Sequence, residues 1–237
     1  MSYLFLIRHG QSSWNLENRF TGWVDVDLTE TGEIEAKKAG NLIKNSKIEI
    51  NYYYSSIQLR ANRTLKIIQK YINDEKKFVK AWQLNERHYG ALTGLNKIEM
   101  GKKLGQEKVH QLRRSWNLRP EPLSKESKFH PQNINIYNDI PIENIPDTES
   151  LKDTYDRVID YFKNEIQDKI KNGNILISAH GNSIRALCKY LFKLDETQIT
   201  SLEIPTGNPL LINLNETLKI TECRYLDQQR AKNLLVF

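Results

Sequence analysis

The stretch LFLIRHG occupies residues 4–10, and the stretch ILISAHGN occupies residues 175–182. Each is an apolar run of strand length that leads into a His-Gly pair. Continuous apolar runs without polar alternation predict strands that are buried on both faces of a parallel sheet. In open α/β sheets, ligands bind just beyond the carboxyl ends of such strands. We therefore expect His9 and His180 to meet over one ligand, although they are far apart in sequence.

The neighbours of these histidines favour phosphoryl chemistry. A neutral imidazole can act as a nucleophile, and the Arg8 guanidinium suits bidentate binding of a phosphate or a carboxylate. Gly10 would let the backbone approach a ligand closely. A helix that begins after His180 would present free N–H groups to an anion. A lone histidine is more often a structural residue held by the backbone, so this prediction depends on the two junctions together.

Arg60 is a third candidate cation. It lies at the start of a predicted helix that follows a predicted strand at residues 52–55. In that position it would point to the same end of the sheet and could clamp a phosphoryl group. The alternative interpretation is a solvated helix arginine.

Composition excludes several classes of protein. The 237 residues include 35 Lys+Arg and 29 Asp+Glu, a net charge of +6, and 39% are hydrophobic. No block of Lys or Arg is longer than a pair, so we expect small anions as ligands and not nucleic acid. No apolar run approaches the ~20 residues of a membrane span, and no leader precedes the first strand. Two cysteines without metal-type spacing fit a reducing compartment, so we expect a cytoplasmic protein.

Strand and helix patterns alternate along the chain, which predicts a sheet that is mainly parallel and covered on both faces. Residues 120–147 interrupt this alternation and hold five of the seven prolines. A loop of this length is usually functional or disordered. Because neither half of the chain has its own core, we predict one domain over residues 1–237. Residues 120–147 would be an excursion from it, and a short tail would follow from about residue 227.

Longer motifs give the chain a family resemblance. Through Arg8-His9-Gly10 it resembles the histidine phosphatase superfamily, and through longer stretches it resembles the cofactor-dependent phosphoglycerate mutases within that superfamily. These stretches are NLENRFTGWVDVD at 15–27, LNERHYGALTGLNK at 84–97, LRR at 112–114, AHGNSIRAL at 179–187 and IPTGNPL at 204–210. They occur in order and cover nearly the whole chain.

The resemblance implies a fold and a set of site residues. The fold is an α/β fold, a three-layer α/β/α sandwich with a mostly parallel six-stranded sheet. His9 would attack a phosphoryl group and become phosphohistidine, and Glu86 would be the general acid and base. The groups that would neutralise the transferring oxygens are Arg8, Arg60 and His180. The implied substrate contacts are Arg8, Gly10, Gln11, Ser12, Ser13, Asn15, Thr21, Gly22, Arg60, Glu86, Arg87, His88, Tyr89, Lys97, Arg113, Arg114, Gly181 and Asn182.

The implied activity is that of a glycolytic and gluconeogenic phosphoglycerate mutase, an isomerase. The phosphorylated enzyme would convert 3-phosphoglycerate into 2,3-bisphosphoglycerate. This molecule would turn in the site and return its other phosphate to His9, which releases 2-phosphoglycerate. The implied cofactor is therefore 2,3-bisphosphoglycerate, with no metal. The implied partners are phosphoglycerates and further copies of the chain in a homodimer or homotetramer, without nucleic acid or membrane.

Two features of the chain depart from the family pattern, namely residue 11 and the length of the tail. Gln11 stands where the family usually has glutamate, and the loss of one negative charge beside His9 should slightly strengthen anion binding. The family also usually has a longer tail over the active site, whereas this chain ends with LLVF at residues 234–237. A shorter tail should admit more water to phosphohistidine and raise phosphate leakage.

Two other functions remain open at this point. A phosphomonoesterase of the same superfamily would have the same histidines and arginines, but the motifs around Glu86 and Arg113 favour the mutase. A catalytically silent protein that binds phosphometabolites is the second alternative. The presence of every matched catalytic residue argues against it.

Overall fold

A computed structural model of the chain describes residues 1–230. Within that range the centre of the molecule is a six-stranded sheet in the order β3-β2-β4-β1-β5-β6. The strands are β1 (Ser2–Arg8), β2 (Tyr52–Ser55), β3 (Val79–Lys80), β4 (Ile175–Ala179), β5 (Leu210–Leu214) and β6 (Ile220–Tyr225). Strands β3, β2, β4 and β1 are parallel, whereas β5 pairs antiparallel with β1 and with β6. The prediction of a mostly parallel six-stranded sheet is confirmed.

Helices connect the strands. They are α1 (Ser13–Leu16), α2 (Glu30–Ser46), α3 (Leu59–Ile72), α4 (Lys97–Leu104), α5 (Gln106–Arg114), α6 (Leu151–Tyr161), α7 (Gln167–Ile170), α8 (Gly181–Phe192) and α9 (Glu196–Ser201). Thr29 caps α2, because its hydroxyl accepts a hydrogen bond from the Gly32 N–H. A π-helical turn at Phe162–Ile166 joins α6 to α7. No helix within residues 1–230 has both the length and the apolar composition needed to cross a membrane.

The alternation of side chains along β1 divides the core into two layers. Leu4 and Leu6 pack on one face of the sheet, in a cluster with residues of α6 and α8. Phe5 and Ile7 pack on the opposite face, against residues of α2 and α3. Because both faces are covered by helices, the apolar runs at residues 4–7 and 175–179 are fully buried, as parallel strands of this kind are. The molecule is thus a three-layer sandwich.

Residues 120–147 pack against the loop that leads from β1 to α2. They contain short 3-10 turns at Pro131–Asn133, Asn135–Tyr137 and Ile142–Asn144. Tyr137 is buried with Trp23 in a small apolar cluster. The tail predicted from about residue 227 begins with a 3-10 turn at Gln228–Arg230. Its remaining part, including the apolar end at residues 234–237, lies outside the described residues.

Candidate active site

The two His-Gly junctions meet at the carboxyl ends of β1 and β4. These strands are adjacent, with Arg8 opposite Ala179. The backbone N–H of His9 donates to the Ala179 carbonyl at 3.0 Å, which continues the parallel pairing by one residue. The His9 and His180 ring centroids are 5.0 Å apart. The structure therefore brings the two predicted histidines together, and their action on one ligand stays a prediction.

His9 presents an unprotonated ring nitrogen. Its Nδ1 lies 2.7 Å from the Gly10 carbonyl oxygen, and a carbonyl can only accept, so Nδ1 holds the proton. The lone pair is then on Nε2. Burial, and then the charges of Arg60 and Arg8, lower the pKa of His9 well below its usual value. At neutral pH His9 is therefore a neutral imidazole with a free Nε2, the form required of a nucleophile.

His180 lies beside His9 and is fully buried. Its Nε2 is 2.7 Å from the Ser56 hydroxyl, while its Nδ1 has no hydrogen-bond partner within the described residues. Burial, and then Arg60 and His9, lower its pKa well below the usual value. His180 is thus neutral in the unliganded protein and can offer a hydrogen bond without adding a competing charge.

Arg60 is a fully buried guanidinium and Arg8 a partly buried one, and backbone carbonyls hold both. Arg8 donates from Nη1 to Ile204 O at 2.8 Å. Arg60 donates from Nη1 to Val24 O and from Nη2 to Gly22 O, both at 2.9 Å. Carbonyl partners fix the position of a guanidinium without cancelling its charge, so both groups remain available to an anion.

Glu86 approaches the start of α8. Its Oε1 accepts from the Asn182 N–H at 3.1 Å and from the Arg87 N–H at 2.8 Å. The carboxylate is 9% exposed, and that exposure is toward the same cavity as His9. Within residues 1–230 the other carboxylate oxygen has no hydrogen-bond partner, a suitable arrangement for proton transfer to a ligand.

One cavity of about 120 Å³ connects His9, Arg8, Arg60 and Glu86. It is lined by thirteen of the predicted residues and by two residues that sequence reasoning did not identify. The predicted residues along its wall are Arg8, His9, Asn15, Thr21, Gly22, Arg60, Glu86, Tyr89, Lys97, Arg113, Arg114, Gly181 and Asn182. These thirteen predicted residues therefore line a single strongly cationic space.

Gly10, Gln11, Ser12 and Ser13 lie outside this lining. A Cβ at Gly10 would be 2.2 Å from the Gly32 carbonyl oxygen, so the absent side chain lets β1 approach α2, not a ligand. The Gln11 carbonyl Oε1 accepts from the Thr29 hydroxyl at 2.9 Å. Ser12 caps α1, of which Ser13 is the first residue. These residues shape the backbone of the loop that follows β1.

Arg87 and His88 are also turned away from the cavity. Arg87 donates to three backbone carbonyls, those of Glu149, Leu118 and Arg113. His88 is fully buried and accepts from the Gly90 N–H at Nδ1. Burial lowers the pKa of His88 to about 3. Both side chains hold loops together behind the residues that line the cavity.

Arg185 and Glu203 are the two cavity residues that sequence reasoning missed. Arg185 is one helical turn after Asn182 on α8 and donates from Nη1 to Asn182 Oδ1 at 3.2 Å. Glu203 accepts from Arg114 Nη2 and lies 3.7 Å from Arg185 Nη2. The signal for Arg185 was its place in the AHGNSIRAL motif at helical spacing from Asn182. Glu203 had no comparable signal.

The cavity has the properties of an anion site. Within the described residues, buried polar atoms without a hydrogen-bond partner include Arg8 Nε, Thr21 Oγ1 and His180 Nδ1. Unpaired buried donors are costly, so a ligand that accepts hydrogen bonds would be favoured here. Across residues 1–230, no group of three or more His, Cys, Asp or Glu side chains is arranged to hold a metal ion.

Comparisons with known proteins agree with this geometry. The family model of the histidine phosphatase superfamily (branch 1) matches residues 4–130 and 125–218. Two similar solved structures are YhfR of Bacillus stearothermophilus (TM-score 0.69, 21% identity, 93% of this chain and 94% of the other) and a mycobacterial glucosyl-3-phosphoglycerate phosphatase (TM-score 0.68, 19% identity, 95% and 97%). At these identities they establish a shared fold. The chain belongs to the histidine phosphatase superfamily.

Curated relatives narrow the family. The chain is 67% identical over 238 residues, the full length of both, to a protein of Pelagibacter ubique (strain HTCC1062). It is 49% identical to one of Caulobacter sp. (strain K31), over 99% of this chain and 98% of the relative. Both relatives are named 2,3-bisphosphoglycerate-dependent phosphoglycerate mutase. Within the superfamily, this chain is a member of that mutase family.

Proposed function

We propose that this enzyme interconverts 3-phosphoglycerate and 2-phosphoglycerate by phosphoryl transfer through His9. The main supporting observation is that one cavity contains two groups of residues. His9, Arg8 and Arg60 come from the end of β1 and the start of α3, whereas Lys97, Arg113 and Arg114 come from α4 and α5. A phosphoglycerate has a phosphate and a carboxylate, so it presents anionic groups to both sets of cations at once. The names of the full-length relatives support the same activity.

The cofactor 2,3-bisphosphoglycerate fits the donor set of this cavity, since within residues 1–230 Arg8 Nε and Thr21 Oγ1 are buried in its lining without hydrogen-bond partners. When bound, it supplies the phosphoryl group that first loads His9. Arg8, Arg60 and Thr21 would hold that phosphoryl group. The cations on the cavity wall would hold the rest of the molecule.

His9 acts as the nucleophile. Its Nε2 lone pair forms a bond to phosphorus while the bond from phosphorus to the ester oxygen breaks. Arg8, Arg60 and His180 donate hydrogen bonds to the three oxygens that pass between donor and acceptor. Because phosphoryl transfer depends on positioning and charge stabilisation, these fixed donors account for most of the rate enhancement.

Glu86 moves the proton. It protonates the departing ester oxygen, and it removes a proton from the substrate hydroxyl that next attacks phosphohistidine. Its Oε1 is held by two backbone N–H groups, which leaves Oε2 to carry the proton in both directions. The 2- and 3-hydroxyl groups of glycerate take turns at this position, so one carboxylate can serve both halves of the reaction.

Phosphorus NMR tests this function directly. Purified protein is given 3-phosphoglycerate, a trace of 2,3-bisphosphoglycerate and an excess of chelator. We expect 2-phosphoglycerate to appear without inorganic phosphate, and we expect the His9→Ala variant to produce none. Inorganic phosphate without the isomer would show a phosphatase on the same scaffold. No reaction at all would leave a protein that only binds phosphometabolites.

We also propose that the enzyme works in the cytoplasm as a homodimer or homotetramer, as the family resemblance implies. Both cysteines are free thiols in the structure, which is compatible with a reducing compartment. Sedimentation equilibrium across a range of protein concentrations gives the oligomeric state. A monomer at every concentration would contradict the proposal.

A further inference from the structure

Gln58 makes four hydrogen bonds from a fully buried side chain. Its Nε2 donates to Gly22 O at 3.1 Å and to the Tyr137 hydroxyl at 3.0 Å. Its Oε1 accepts from the Glu86 N–H and from Arg60 Nη2, both at 3.1 Å. This uses both donors and both acceptor positions of a primary amide. Rotating the amide by 180° would place donors against donors, so the network fixes its orientation.

The side chain is free for this role because another residue caps the helix. Gln58 stands immediately before α3, where a side chain usually accepts a hydrogen bond from the first turn. Here the Asp25 carboxylate accepts from the Leu59 N–H at 2.7 Å instead. Gln58 therefore points inward, between the strand end that precedes α3 and the loop that contains Glu86.

Two of these bonds form a closed ring together with a third bond, from Arg60 to Gly22. Arg60 Nη2 donates to Gly22 O and to Gln58 Oε1, and Gln58 Nε2 donates to the same Gly22 oxygen. The ring prevents the guanidinium from rotating. The fourth partner of the amide, the Glu86 N–H, attaches the loop of the general acid to the same ring.

We propose that Gln58 is a positioning residue that holds the Arg60 guanidinium and the Glu86 loop in one fixed geometry. This inference depends on the proposed function, because it assigns both partners a part in phosphoryl transfer. Gln58 is not among the residues that line the cavity. It acts by joining two groups that come from different elements and must face the same phosphoryl group.

Gln58→Met is the first test, because methionine has a similar length and forms none of the four bonds. We expect kcat for 3-phosphoglycerate to decrease about tenfold or more, since small misplacements of reacting groups are expensive. KM should change little, because Lys97, Arg113 and Arg114 are untouched. The rates are expressed per site that can be phosphorylated, which removes any contribution from unfolded protein.

Gln69→Met is the matched control. Gln69 is also a buried glutamine on α3, and its Nε2 donates to Lys76 O at 2.7 Å, away from the cavity. The control therefore also loses a buried amide and its hydrogen bond, at a position within α3. We expect its kcat to equal that of the wild type. An equal decrease in both variants would mean a general effect on the helix and would overturn the proposal.

A substrate with a different leaving group distinguishes a positioning role of Gln58 from a general loss of structure in the variant. The phenolate released from para-nitrophenyl phosphate needs no proton, so phosphorylation of His9 by this ester does not require Glu86. If Gln58 acts partly through Glu86, Gln58→Met will be less defective with the aryl ester than with 3-phosphoglycerate. Equal defects with both esters would contradict a role through Glu86.

Gln58→Glu is the second variant, in case the methionine protein does not fold. The carboxylate keeps the shape of the side chain and can still accept from Glu86 and Arg60, but it cannot donate to Gly22 O. Its charge also pairs with Arg60, so we expect a lower kcat with both esters. Wild-type kcat in this variant would overturn the proposal. Failure of the wild type to turn over phosphoglycerate would instead defeat the proposed function.

Discussion

Lys97 is an example of a side chain whose chemistry depends on its surroundings. It lines the cavity, and burial, followed by the charges of Arg113 and Arg8, lowers its pKa to about 8. A free lysine would keep its proton far above neutral pH. Lys97 is therefore charged at neutral pH but loses its proton under mildly alkaline conditions.

The pH dependence of KM follows from this pKa. Below about pH 8 Lys97 is an ammonium that attracts the substrate anion, and above this pH it becomes a neutral amine. Loss of a charged hydrogen bond should raise KM about tenfold or more. The arginine of the Lys97→Arg variant keeps its charge in this range. The KM of that variant should therefore stay constant up to about pH 9.5, roughly one and a half units above the pKa of Lys97. An unchanged alkaline limb in Lys97→Arg would assign the titration to another group.

The loop that contains Glu86 is held by an ion pair from another element. Arg157 on α6 donates to the carbonyls of Gln83, Asn85 and Glu86 at 2.6–3.0 Å. It also pairs with Glu149 at 2.7 Å, and Glu149 Oε2 accepts from the His88 N–H at 2.7 Å. Arg157 and Glu149 thus hold both ends of the loop. Because both side chains are almost completely buried, water cannot replace them as hydrogen-bond partners of the loop.

Arg157→Lys should lower both stability and turnover. A lysine keeps the charge, but a single ammonium cannot reach all of these oxygens. Since one side of a buried network is left without partners, we expect a loss of about 3 kcal/mol in the free energy of unfolding. We also expect kcat to decrease about tenfold as Glu86 moves. Urea titration and steady-state kinetics measure the two effects.

Arg119→Lys is the appropriate comparison for that variant. Arg119 also pairs with a residue of α6, Asp153, but the arginine side chain is 60% exposed. Surface ion pairs of this kind contribute little to stability. Both measurements should therefore stay near the wild-type values. Equal effects of the two substitutions would show that the Arg157 network does not specifically hold the loop.

The whole molecule brings cations from distant parts of the sequence to one end of the sheet. The cavity combines groups that follow β1 and β2 with Lys97 from α4 and with residues of α5 and α8. Their mutual repulsion is an electrostatic cost in the unliganded protein. An anionic ligand relieves this cost and also satisfies the unpaired buried donors. Ligand binding and folding stability are therefore coupled.

A thermal melt measures this coupling. With 2,3-bisphosphoglycerate at about one hundred times its Kd, we expect a gain of about 2.7 kcal/mol and a rise in Tm of about 5–10 °C. If the chain is one domain, circular dichroism and tryptophan fluorescence should give the same single transition.

Two variants show whether the shift comes from the cavity. Arg60→Met should lose most of it relative to its own Tm. Arg224→Met, which changes an exposed arginine of β6, should keep it. A similar Tm shift in sodium chloride of equal ionic strength would indicate general screening of charge and not ligand binding.

Local patterns in the sequence were sufficient for the sheet and for bringing the two histidines to one end of it. The apolar runs before His9 and His180 predicted two buried parallel strands. Because ligands bind beyond the carboxyl ends of such strands, the same runs also predicted that both histidines share one site. These predictions succeeded because each depends only on the side chains of one short run of the sequence.

Tertiary structure was needed for every property that depends on contacts between distant segments. Gly10 looked like a ligand-facing glycine, but its space is filled by Gly32. Arg87 belongs to a substrate motif, yet its guanidinium is bound to backbone carbonyls. Gln58 gave no signal, although it joins Arg60 to the Glu86 loop. The physical reason is that hydrogen-bond partners are chosen by packing between elements, and packing is not encoded in the local period of the chain.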